Sequence, residues 1–109
     1  MKTKILFVSE AVSLAHVARP SVLAAAIDRD RFEVHFASNG QFSFCHADQL
    51  LLKHQITSIS PADFMLRLAA GRPLYSHAEL EAYVEDDLAL IKVVEPDLIV
   101  QDFRLSMGI

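Results

Sequence analysis

His16 and Asp102 are the two residues of this chain whose types and settings could do chemistry together. A carboxylate beside an imidazole fixes its tautomer and raises its basicity, which makes the histidine a general base for a hydroxyl proton. His16 lies in the small and polar stretch between a continuous apolar run, Ile5-Leu6-Phe7-Val8, and Pro20. Asp102 closes a second such run, Leu98-Ile99-Val100. Runs of this kind read as strands buried on both faces of a parallel sheet. Ligands of such sheets bind just beyond the carboxyl ends of the strands, so two neighbouring central strands would deliver both residues to one edge. Taken alone, His16 reads as a solvated loop histidine. The second stretch gives it a partner.

The elements that must position the pair follow in chain order. Pro20 suits the first position of a helix over residues 21–27, ending near Asp28. Residues 32–37 alternate apolar and polar, which predicts a second strand that is half exposed or near an edge, closed by the turn Asn39-Gly40. Phe42 and Phe44 lie in a stretch read as loop, where they plug the end of the sheet or grip an apolar acceptor. A short helix between His46 and His54 and a short strand over residues 56–59 come next. The two histidines have no third ligand nearby, so they read as solvated helix positions and not as a metal site. Ser60-Pro61 and Gly71 bracket a helix over residues 62–70. Ser76-His77-Ala78-Glu79 is a capping box that opens the longest helix. Its expected apolar face is Leu80, Tyr83, Val84, Leu88, Ile91 and Val94, with Glu81, Glu85 and Asp86 on the solvated side. Glu95-Pro96 ends it and returns the chain to the sheet. The order β-α-β-(α)-β-α-α-β with right-handed crossovers predicts an α/β fold: a Rossmann-like half of a doubly wound parallel sheet, strand order 3-2-1-4. Strands 1 and 4 are then neighbours.

Composition narrows the function classes. At 109 residues and 52% hydrophobic, residues 1–109 form a single domain with one core, not a disordered chain. A net charge of -4 without a basic cluster argues against nucleic acid as a partner. No apolar run approaches the ~20 residues that span a bilayer. Met1-Lys2-Thr3-Lys4 runs directly into a strand pattern with no signal-peptide core, so a cytoplasmic location is the default. Cys45 is the only cysteine, which excludes an intrachain disulfide and a cysteine-rich metal site. No glycine precedes Gly40, so the Gly-x-Gly-x-x-Gly cradle of a dinucleotide site is missing. A Walker loop, a Gly-x-Ser-x-Gly elbow and a His-Glu-x-x-His zinc helix are also absent. NAD, FAD and ATP lose support, and no cofactor or metal is expected.

The Lys-Ile-Leu-Phe-Val strand, the loop histidine before a proline, and the later Pro-Asp-Leu-Ile-Val-x-Asp-Phe strand together resemble the UDP-glycosyltransferases of two-Rossmann (GT-B) architecture. The likeness covers essentially the whole chain and corresponds to the first half of that family's amino-terminal, acceptor-side domain. Ala15 stands where the family usually carries glycine, and Pro20 lies one residue later than its counterpart. The resemblance implies that His16 deprotonates the acceptor hydroxyl while Asp102 holds it. Ser13, Phe42, Phe44 and Phe103 would be the acceptor-binding residues. The donor would be a nucleotide-sugar, gripped mainly by a second domain that this chain lacks, with inversion and no metal.

Because the chain ends just after its fourth strand, a truncated product or half of a split enzyme is expected, inactive or nearly so alone. A non-catalytic interaction subunit that completes a partner carrying the donor domain is the rival reading. A receiver-like domain is weaker, since Glu10 alone does not supply the acidic cluster it needs. The fourth strand carries no Lys, Pro or bulge to blunt its open edge, which predicts a homo-oligomer joined there.

Overall fold

The computed structural model describes residues 2–12, 14–39 and 52–108. Four strands, β1 (Thr3–Ser9), β2 (Phe32–Ser38), β3 (Leu52–Gln55) and β4 (Leu98–Asp102), form one sheet in the order β3-β2-β1-β4. Every neighbouring pair is parallel, as the alternation of strands and helices predicts. Helix α1 (Leu14–Ala25) covers one face; α3 (His77–Val94) covers the other, and α2 (Pro61–Ala69) lies between β3 and α3 in sequence. The fold is α/β and Rossmann-like in its strand order.

Each face has its own apolar layer. Ile5, Phe7, Val34 and Phe36 pack with Val17 and Ala24 of α1. Leu6, Val8 and Ala37, one residue out of phase, pack with Ile56 and with Leu90 and Val94 of α3. That alternation is the period of two of a strand covered on both sides. Each fully buried Leu, Val or Phe contributes about 1.5–3 kcal/mol, so the central pair β1 and β2 anchors the domain.

Several expected elements shift, each for a physical reason. Strand β2 is internal and buried from Val34 to Ser38, not half exposed, because β3 takes the edge beside it. Strand β3 comes earlier than residues 56–59 and is polar, with Leu52, Lys53 and Gln55 exposed, as suits an outer strand. The apolar residues after it turn inward. The amide of Thr57 donates to the Asp86 carboxylate at 2.7 Å and that of Ile59 to the Tyr83 hydroxyl at 2.6 Å, so side chains of α3 replace a partner strand. His54 therefore lies in β3 and not on a helix, while His46 falls outside the described residues. The His54 imidazole Nε2 is 2.8 Å from Nδ1 of buried His35, whose Nε2 meets Glu33 at 2.7 Å. Burial first, then the neighbouring His35, pushes the His54 imidazole below its ordinary value.

Helix α3 is rotated from its expected face. Tyr83, Asp87, Leu90 and Val94 are buried, whereas Leu88 is 61% exposed. A charged residue occupies the buried stripe because it has a partner there, described below. Strand β4 is the outer strand on its side, with Leu98 and Ile99 exposed.

The starts of α2 and α3 match the capping signals. The Ser60 side chain accepts from the amide of Asp63, with Pro61 just inside the helix. Gly71 takes φ +65 just past the C-cap Ala70, a conformation glycine adopts without steric cost. Ser76 and Glu79 form the reciprocal capping box, and Arg67 of α2 adds a two-pronged grip on Glu79 at 2.6 and 3.0 Å. The Arg67 guanidinium, then the Ser76 amide, hold the Glu79 carboxyl down to about 2 from an ordinary 4.5. A depressed carboxylate adds stability that is complete above its unfolded value and is lost as pH falls through its folded one. Thermal unfolding midpoints should therefore drop between pH 4.5 and about 2. Glu79→Gln should start lower at neutral pH and lose less across that window. A variant as acid-sensitive as the parent would show that this carboxylate does not carry the effect.

Candidate functional site

Strand β1 pairs with β4 so that Ser9 faces Asp102 in register, and the amide of Glu10 donates to the Asp102 carbonyl at 3.1 Å. The carboxyl ends of both strands thus lie at one edge, where α1 begins. The helix starts at Leu14, earlier than expected, so His16 lies in its first turn and not in a loop, and Pro20 lies inside it. Proline has no amide hydrogen, so the His16 carbonyl loses its normal helical donor four residues on. The Ser21 hydroxyl donates to the neighbouring Val17 carbonyl at 2.7 Å, a back-bond that does not reach the His16 carbonyl. Burial of Val17 in the α1-facing layer offsets the disruption.

His16 Nδ1 lies 2.9 Å from Asp102 Oδ1, and both side chains are about one-fifth exposed. With Asp102 ionised, Nδ1 carries the proton and donates it to the carboxylate, which leaves the lone pair on Nε2. No described residue bonds Nε2. An imidazole held in this tautomer at a partly open edge can accept a proton from a hydroxyl placed against it.

Two aromatic rings fix its orientation. Phe103 stacks on the imidazole, with centroids 4.9 Å apart and planes 22° apart. Phe64 of α2 meets Phe103 edge-on at 5.6 Å. Phe103 has φ 55, a left-handed conformation that costs a non-glycine residue roughly 1–2 kcal/mol. Of the four residues expected to contact an acceptor, Phe103 is thus brought to His16. Ser13, Phe42 and Phe44 lie outside the described residues.

What holds that left-handed turn is a buried cluster that the sequence patterns do not display. Arg104, fully buried, donates from Nη1 to Glu10 Oε1 at 3.1 Å and from Nη2 to Asp87 Oδ1 at 3.0 Å. Its Nη1 also reaches the Thr57 carbonyl at 2.6 Å, and its Cζ lies 4.0 Å above the Tyr83 ring. Tyr75 donates to Glu10 at 2.7 Å, and Ser106 donates to Asp87 at 2.5 Å. Buried charges persist only when paired and hydrogen-bonded, and each of these has partners. Burial, reinforced by the Glu10 carboxylate, pushes both the Tyr75 and Tyr83 hydroxyls well above the ordinary tyrosine value, so both stay protonated. The available signals were a glutamate ending the first apolar run and an aspartate inside the α3 stripe.

Among the described residues, no three histidine, cysteine or acidic side chains converge on a metal-sized site, and no helix is long and apolar enough to cross a membrane. Two buried hydroxyls at the same edge, Ser9 and Ser38, have no hydrogen-bond partner among the described residues.

No family model matches the chain, and no solved structure matches it. Characterised proteins do. The chain is 37% identical over 108 residues to an "Inactive PGL/p-HBAD biosynthesis glycosyltransferase" of Mycobacterium bovis, covering 99% of this chain and 30% of the relative. It is 37% identical to a "PGL/p-HBAD biosynthesis glycosyltransferase" of Mycobacterium tuberculosis, covering 99% of this chain and 25% of that protein. A "PGL/p-HBAD biosynthesis rhamnosyltransferase" of Mycobacterium bovis is 40% identical, again over 99% of this chain and 24% of the relative. The chain therefore spans 24–30% of the length of these relatives.

Proposed function

We propose that this chain is the acceptor-side, Rossmann-like unit of a glycosyltransferase that moves a sugar from a nucleotide-sugar to an acceptor hydroxyl. The observation that carries the reading is the 2.9 Å contact of His16 Nδ1 with Asp102, which leaves Nε2 as the proton acceptor at the carboxyl edge of the sheet. The names of the relatives support the same reaction class. His16 removes the acceptor proton as the oxygen attacks the anomeric carbon, and the bond to the nucleoside diphosphate breaks on the opposite face. Inversion follows from that single displacement. Asp102 orients His16 and stabilises the imidazolium that forms. Phe103, stacked on the base, forms the wall against which an acceptor would lie.

The donor and its leaving diphosphate are bound by a second Rossmann-like domain, in the two-domain GT-B arrangement, and no metal or cofactor takes part. The test is a transfer assay on a protein in which this chain is joined to such a domain. Nucleotide-sugars and hydroxyl acceptors are supplied, and products are read by mass. A gain of one glycosyl unit that is lost in His16→Ala is the expected result. Equal product from His16→Ala would overturn the assignment of the base.

One relative is named inactive, which favours a second reading: a non-catalytic unit that binds a partner carrying the donor domain. That reading predicts donor-domain binding with no glycosyl product from any donor.

A further inference from the structure

We propose that Arg19 is a positioning residue that sets the proton affinity of His16 through the carboxylate they share; this rests on the assignment of His16 as the base. The two residues are three apart on α1 and so lie on one side of the helix. Asp102 Oδ1 receives His16 Nδ1 at 2.9 Å and Arg19 Nη2 at 3.4 Å, while the same Arg19 nitrogen lies 3.3 Å from Oδ2. One guanidinium nitrogen at long range to both oxygens is not the two-pronged fork of a strong tether. Arg19 is also 66% exposed, so its grip on Asp102 adds little to folding stability.

Its consequence is charge. A lone carboxylate beside an imidazole favours the protonated ring, and a protonated imidazole cannot accept the acceptor's proton. Arg19 opposes this in two ways. It repels the developing imidazolium, and it divides the carboxylate that would stabilise it. The charged groups that face His16 among the described residues are Asp102 from β4 and Arg19 from α1. Phe103 covers a ring face, Phe64 of α2 packs on Phe103, and Glu10 and Arg104 engage each other in the interior. His16 Nδ1 at 2.9 Å and Arg19 Nη2 at 3.4 Å share one carboxylate oxygen, and in a half-solvated setting such coupling amounts to about half to one pH unit.

Nuclear magnetic resonance titration of the His16 Cε1 proton reads this directly in the chain, with His16→Ala identifying the signal. At low ionic strength, Arg19→Gln should raise the titration midpoint by about half to one pH unit. Arg19→Lys should stay close to the parent because it keeps the charge. The Arg19→Gln shift should shrink in about 1 M salt, where the screening length falls to about 3 Å. A merely structural role would not give a charge-specific, salt-sensitive shift. An unmoved midpoint in Arg19→Gln, or an Arg19→Lys shift as large as that of Arg19→Gln, overturns the proposal. It fails separately from the base assignment: full transfer by His16→Ala removes the base, whereas an unmoved midpoint removes the role of Arg19.

Discussion

Arg104→Met should cost the fold about 3–5 kcal/mol, the loss typical of breaking a buried ion pair from one side. The arginine and Glu10 are fully buried, and the Asp87 side chain is 4% exposed. Methionine fills similar space but leaves two carboxylates in the interior with no cation. Domains of this size hold together by about 5–15 kcal/mol, so roughly a fifth or more of the total is at stake. The denaturant midpoint should fall steeply with an unchanged slope. Adding Glu10→Gln and Asp87→Asn to Arg104→Met should recover much of the loss, because the stranded charges are then gone. Arg104→Lys should lie between, since a single ammonium cannot reproduce the fork that spans Glu10, Asp87 and the Thr57 carbonyl. A contrasting pair is His77 and Glu81, 89% and 66% exposed, where Glu81→Gln should leave the midpoint almost unmoved. An Arg104→Met midpoint equal to the parent's would show that the cluster carries no net stability. The effect also reaches the site. Arg104 follows the left-handed turn at Phe103 and anchors the segment that presents Asp102.

The sheet was legible in the sequence because its evidence is local. Ile5-Leu6-Phe7-Val8 is too apolar for an exposed strand and is buried. Leu98-Ile99-Val100 reads the same way, but it forms the outer strand β4, with Leu98 and Ile99 exposed. The alternation of strand and helix patterns along the chain predicts the parallel order. The caps at Ser60 and Ser76 were legible for the same reason: a side chain and an amide three residues away decide them. Pro20 misled because its preference for a first helical position is a propensity, and the burial of Val17 and the pairing of His16 extend the helix upstream of it. The placement of β3 failed because an outer strand need not be apolar, while Ile56 and Ile59 look like a strand and serve as core plugs. Periodicity flags Asp87 inside the α3 stripe but does not show what neutralises it. Glu10, Asp87 and Arg104 are distant in sequence, and hydropathy places each of them in solvent. Only the fold reveals that each neutralises another. The meeting of His16 with Asp102 could be anticipated because strand adjacency brings the carboxyl ends of β1 and β4 to one edge, where the segment carrying His16 follows β1.

In a protein that supplies the donor-binding domain, His16→Ala should lower turnover by about 10²–10⁴-fold, the usual range for removing a general base. The loss should fall on kcat and on kcat/KM together, with KM little changed, because the proton moves only as the acceptor oxygen attacks. Asp102→Asn should cost less. The asparagine carbonyl can still accept from Nδ1, so the base remains present with its lone pair on Nε2, although the charge that stabilises the imidazolium is gone. Asp102→Ala removes the acceptor altogether and frees the ring to take the other tautomer, with the proton on Nε2. It should therefore approach His16→Ala in severity while Asp102→Asn does not. Rates of a single turnover, measured with donor and acceptor in excess over KM, separate these outcomes from slow product release. Equal losses for Asp102→Asn and Asp102→Ala would mean that charge, not tautomer, is what Asp102 contributes. Unchanged turnover in Asp102→Ala would mean that the 2.9 Å contact serves the fold and not the reaction.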